Sequence, residues 1–152
     1  MSLGTDKIAD VSAPRILGLD ACGTLSSMTL KTLPYSMDEI AVLVRDAGFT
    51  GDNAVIAIAV IWAESGGNAW AVNINSTPGK TYGSIDLGLV QWNSYWWPYI
   101  TPAKAMDPVF AVKKFFEVTK GTNFLYWNAY VNKSYLRFMD YARACAHNAG
   151  LV

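Results

Sequence analysis

The sequence predicts a mainly α-helical domain carrying a small β-rich lobe. Three observations carry that reading. Residues Val55 to Ala63 form a run without a single polar side chain. Two strong helix-start signals stand at Ser36 and at Asp107-Pro108. Between them, residues 68–95 are dense in turn formers.

The bulk properties agree. A chain of 152 residues with 52% hydrophobic and 16% charged residues can bury a core that offsets its ordering entropy. Lys+Arg and Asp+Glu are both 12, so the net charge is zero. A nucleic-acid partner would call for a basic stripe, and none is expected. No apolar stretch approaches the roughly 20 residues of a membrane span. The N-terminus lacks a basic region followed by an apolar stretch, so no signal peptide is read. Cys22 and Cys145 make no disulfide framework; one staple between the chain ends and two free thiols both stay open.

Residues 1–34 show no hydrophobic period. Pro14, Gly18, Gly23 and Pro34 punctuate them, and we read an extended or partly helical arm lying on the domain formed by residues 35–152. Ser36-Met37-Asp38-Glu39 has the capping-box pattern, followed by Ile40, Leu43, Val44 and Ala47 at helical spacing. Gly48 ends that helix. A second helix is expected from Asp52 as N-cap, stopped by Gly66-Gly67. Its residues 54–63 are apolar all round, as in a helix buried on every side. A buried strand competes, but the interleaved alanines favour helix.

Asn73, Asn75, Ser76, Pro78, Gly79 and Gly83 then mark turns around an irregular β-hairpin. Trp92, Tyr95, Trp96, Trp97 and Tyr99 form an aromatic cluster. Asp107-Pro108 places an N-cap before Pro at N1, with Ala111, Val112, Phe115, Phe116 and Thr119 inward and Gly121 closing. Residues 124–131 suit a short helix or turn. A last helix is expected over Ser134–His147, with Leu136, Met139, Tyr141 and Cys145 partly inward. His147 near its end reads as structural, since a cation is favoured there.

Glu64 is the candidate acid. A carboxyl group at the exit of a buried apolar segment is costly to ionise, and helix C-terminal dipoles add to that cost. Such a group can deliver a proton near neutral pH. Asp86 is the second candidate. Its neighbours Ser84, Gln91, Asn93 and Ser94 are polar, so a carboxylate there can be solvated and hydrogen-bonded. Two carboxyl groups in contrasting settings suit glycosidic bond cleavage. Asp86 as a simple turn former stays open. Trp62, Trp96 and Trp97 offer ring faces for sugars. With a single His and no Cys/His cluster, neither a zinc site nor a Ser-His triad is supported.

The segment Gly83-Ser84-x-Asp86-x-Gly88-x-x-Gln91-x-Asn93-Ser94-x-Trp96-Trp97 resembles the β-lobe motif of animal chicken-type lysozymes. Ala63-Glu64-Ser65 is similar to the end of their catalytic helix. Glu64-Ser65-Gly66 with Gly88-Leu89-x-Gln91 resembles goose-type lysozymes and lytic transglycosylases, and Ala129-Tyr130-x-Asn132 is distantly similar to a transglycosylase motif. The resemblance covers about residues 52–100. It implies a lysozyme-like fold and cleavage of the β-1,4 bond between N-acetylmuramic acid and N-acetylglucosamine in peptidoglycan strands, by hydrolysis or by transglycosylation. It implies Glu64 as general acid and Asp86 as second carboxylate. Ser65, Gln91, Asn93, Trp96, Trp97 and Tyr130 would line the sugar site, with no cofactor. The scarcity of cysteines, the longer stretch between Glu64 and Asp86 and the neutral charge resemble a bacteriophage or bacterial member more than the animal enzymes. Action at the bacterial cell wall follows from the resemblance, as a monomer or attached to a larger phage or envelope assembly. A non-catalytic wall-binding or virion domain is the reading from another class.

Overall fold

The computed structural model describes residues 18–19, 25–27 and 32–152. The chain divides into two units, Met1–Pro34 and Tyr35–Val152. In the first, the described residues form one short antiparallel pair, β1 (Gly18–Leu19) and β2 (Leu25–Ser27). The expected docking of an N-terminal arm lies outside the described residues, as does Cys22. Cys145 is a buried free thiol.

The second unit opens with α1 (Met37–Ala47). Its capping box is formed: the Ser36 hydroxyl accepts from the Glu39 N–H at 3.2 Å, and the Glu39 carboxylate accepts from the Ser36 N–H at 2.8 Å. Met37, Ile40, Ala41 and Val44 are buried. Helix α2 (Gly51–Ser65) is the centre of the core, with Ala54, Val55 and Ala57 to Ile61 fully inaccessible. Its all-apolar surface is explained by its neighbours. It packs against α1, α5 (Asn128–Val131), a 3₁₀ turn (Ser134–Phe138) and α6 (Met139–Asn148). The N-cap of α2 is Thr50 rather than Asp52. Gly51 takes a left-handed φ of 57°, which lets the chain turn into the helix two residues earlier. Asp52 instead sits exposed in the first turn and pairs with Arg143 at 2.9 Å.

The turn-rich stretch folds as a three-stranded antiparallel sheet, not a two-stranded hairpin. Its order is β3 (Val72–Ile74), β4 (Ile85–Leu87), β5 (Trp92–Asn93). Asn73 stands opposite Asp86, and Asp86 opposite Asn93. Gly88 closes the lobe. Its φ is +77°, and a Cβ there would run into the carbonyl oxygen of Ala105 in α3 (Pro102–Ala105). Only glycine combines that backbone conformation with so close an approach.

Helix α4 (Pro108–Thr119) starts as its sequence indicates, with the Asp107 carboxylate accepting from the Phe110 N–H at 3.1 Å. Its C-cap is Lys120, at a left-handed φ of 50°, one residue before Gly121. Phe115 and Phe124 pack with Phe49 under the helices. The last helix needs correction. Ser134–Phe138 is 3₁₀ and only Met139–Asn148 is α-helical. The tighter 3₁₀ turn changes the phase of the inward face. Leu136 and Tyr141, read as inward, are exposed; Cys145 is buried and Met139 half-buried, as read, and Ala142 and Ala146 are buried beside them.

Candidate active site

A polar cleft of about 200 Å³ lies between the sheet and the segment around Trp127. Glu64 and Asp86 both line it. They are presented by different kinds of scaffold, which sets their surroundings.

Glu64 comes from the last turn of α2, where Gly66 in a left-handed conformation stops the helix. Its carboxyl group is largely buried and accepts one hydrogen bond, from the Ala129 N–H at 2.9 Å. That amide lies in the first turn of α5. Burial holds the Glu64 carboxyl above the usual carboxylate range. The Ala129 hydrogen bond pulls it back down, and the negative charge of Asp86 adds a further upward push. Trp127 fixes this wall. It is buried, and its indole N–H donates to the Val90 carbonyl at 2.9 Å.

Asp86 comes from the central strand of the sheet and is met by three carboxamides. Asn73 and Asn75 donate to one oxygen at 3.1 and 3.2 Å, and Asn93 donates to the other at 2.6 Å. The second N–H of Asn75 and of Asn93 each reaches the buried Ser84 hydroxyl at 2.9 Å. The register explains the cage, because Asn73 and Asn93 flank Asp86 on the two neighbouring strands. The Asn93 side-chain oxygen in turn accepts from the backbone N–H groups of Tyr95 and Trp96. One residue therefore holds both the carboxylate and the aromatic segment that follows.

Gln91, Asn93, Trp96 and Trp97 also line the cleft. Gln91 holds a left-handed φ of 56°, and its side-chain N–H groups donate to the carbonyls of Gly88 and Ala71 at 3.0 and 3.4 Å. Trp96, Trp97 and Tyr126 continue the cleft into an aromatic hollow of about 430 Å³. Ser65, Tyr130 and Trp62 are not among the cleft-lining residues. The Ser65 hydroxyl donates to the Ile61 carbonyl and accepts from the Gly67 N–H, serving the helix end. Tyr130 stacks on Tyr135 with ring centroids 5.0 Å apart. Trp62 packs beside Gly67.

Several participants went unread in the sequence. Asn73 and Asn75 looked like turn markers, yet their alternation, with Asp86 across a hairpin, was the available signal. Trp127 meets Val90 across 37 positions of chain and the Ala129 amide meets Glu64 across 65; no local pattern announces them or Tyr126. Among the described residues no cluster of His, Cys, Asp and Glu could hold a metal ion, and no helix is long and apolar enough to cross a membrane.

A family model described as a lysozyme-like domain matches residues 41–129. That span contains both carboxyl groups, the whole sheet and the Ala129 amide. No curated protein and no solved structure matches the chain.

Proposed function

The chain belongs to the lysozyme-like domain family, and on that premise we propose that it cleaves the β-1,4 bond between N-acetylmuramic acid and N-acetylglucosamine by hydrolysis. Membership supports action on peptidoglycan as a glycosidase or transglycosylase in general. The observation that carries the finer reading is the pairing of unlike carboxyl groups in one cleft, Glu64 largely buried and Asp86 caged by amides.

Glu64 retains its proton to higher pH than an ordinary glutamate, for the reasons above. It donates that proton to the glycosidic oxygen as the bond from C1 to that oxygen breaks. Positive charge builds at C1, and the carboxylate of Asp86 faces it. Water then adds to C1 and returns its proton to Glu64, which restores the starting state. This division of labour is the one known for lysozyme itself. Trp96, Trp97 and Tyr126 offer ring faces to the glycan beyond the reacting bond. Clearing of purified cell walls tests the reading: the wild type should clear them and Glu64→Gln should not. Equal clearing by both would sink it.

One observation favours a second reading, lytic transglycosylation. Asp86 already accepts three amide hydrogen bonds, which suits a fixed negative charge better than an attacking nucleophile. The sugar's own 6-hydroxyl would then close on C1 and give up its proton to Glu64. Mass spectrometry of the fragments decides: reducing ends mean hydrolysis, and 1,6-anhydro ends mean transglycosylation.

A further inference from the structure

Among buried side-chain nitrogen and oxygen atoms of the described residues, Nε1 of Trp92 alone has no hydrogen-bond partner. Buried donors are rarely left so, and each case calls for a reason. Trp92 is 2% exposed and lines the cleft with Glu64 and Asp86. Three neighbouring amide side chains of the cleft have their donors spent. Asn75 and Asn93 use their amide N–H groups on Asp86 and Ser84, and Gln91 uses its own on two carbonyls. Trp127, the other buried indole in this wall, is satisfied by Val90.

The packing around Trp92 says which neighbour can give way. Its ring meets Trp97 edge-on at 5.2 Å and Trp127 at 5.5 Å. Trp127 is buried and pinned through its N–H. Trp97 is partly exposed and forms the wall shared by the cleft and the aromatic hollow. A ligand pressing on that wall meets Trp97 first.

We propose that the indole N–H of Trp92 is a substrate-positioning donor, reached when a bound glycan turns Trp97, and that it takes an acceptor oxygen of the sugar in the cleft. An indole N–H can only donate, so the partner is a carbonyl, ring or hydroxyl oxygen. The inference rests on the glycan-cleaving reading above, and Trp92 adds to it a contact that positions the sugar.

Nitrogen-15 labelling of tryptophan in the Glu64→Gln protein provides the test, with the β-1,4-linked trisaccharide of N-acetylglucosamine as probe. The Trp92 indole proton should move downfield and saturate with the trisaccharide. Trp92→Phe keeps a ring in place and removes the donor, so it should weaken trisaccharide binding by roughly fivefold to tenfold, the effect of one hydrogen bond. A Trp92 resonance that stays fixed while other tryptophan signals saturate would overturn the proposal and leave the glycan reading intact. So would unchanged affinity in a folded Trp92→Phe protein. If that variant fails to fold, the titration of the intact chain decides alone. Failure of the wild type to release fragments from cell walls is the separate result that ends the underlying reading.

Discussion

The two walls of the cleft solve opposite problems. On the helical wall, Glu64 is largely buried and has one hydrogen bond, from Ala129. On the sheet wall, Asp86 has polar surroundings and three, from Asn73, Asn75 and Asn93. A buried helix can withhold solvent from its last turn but offers few donors there, because its final amides are already bonded within the helix. A short sheet does the reverse: cross-strand neighbours place side-chain amides directly beside the central strand. The fold thereby distinguishes two chemically similar groups by the element that carries each.

Glu64→Gln breaks that difference most severely. It keeps the shape and an acceptor for Ala129 but removes the proton, and wall hydrolysis should fall by roughly 10²–10⁴-fold, the usual share of a general acid. Fragment release over time measures it. Asn93→Ala attacks the other wall at its busiest point. It strips an amide from Asp86 and Ser84 and frees the Tyr95 and Trp96 amides, so we expect about 1–3 kcal/mol of lost stability by urea unfolding, with activity reduced alongside. Asn73→Ala removes a single exposed bond and should cost about 0.5–1.5 kcal/mol at most. Equal losses in the two asparagine variants would refute the ranking.

The pH behaviour sharpens the contrast further. Because burial and Asp86 raise the Glu64 pKa, its proton is lost only as pH rises through that raised value, and the proposed activity should fall there. Asp86→Asn removes one upward push, so carbon-13 NMR of the Glu64 carboxyl should show a midpoint at lower pH than in the wild type. A midpoint unmoved or moved upward contradicts the coupling. Stability follows the same linkage with its own sign. The folded state holds the Glu64 proton more tightly than the unfolded chain, so stability falls as pH rises from the ordinary carboxylate range through the folded value. Glu64→Gln escapes that fall. Its Tm should exceed the wild type's at neutral pH and converge with it in acid, and a lower Tm at neutral pH would argue against burial as the dominant cause.

Much of the helical framework was legible because its signals are local. Ser36 with Glu39, and Asp107 with Pro108, act within one turn of themselves. The apolar surround of α2 announced its burial without naming its neighbours. The third strand, Trp92–Asn93, was hidden because two residues show no alternation, and α3 because four residues show no period. At the site, Glu64 and Asp86 were visible through their own settings and the motif around them. The cage of Asn73 and Asn75 depends on strand register, and the Ala129 amide reaches Glu64 across 65 positions of chain. Ser65 serves the helix end rather than lining the cleft, because its place beside Glu64 in sequence says nothing of direction; one step along a helix turns a side chain by about 100°.

Asn93 has a consequence for how events at the two ends of the cleft inform each other. Its nitrogen grips Asp86 while its oxygen holds the start of the segment bearing Trp96. A rigid amide with one hand on each acts as a lever with a fixed fulcrum. On the proposed glycan-cleaving reading, a glycan that shifts the aromatic platform would shift the carboxylate through this amide, and whatever steadies the carboxylate would steady the platform. Chain length, an attribute of the polymer far from the scissile bond, would on that reading enter the chemistry through a single side chain.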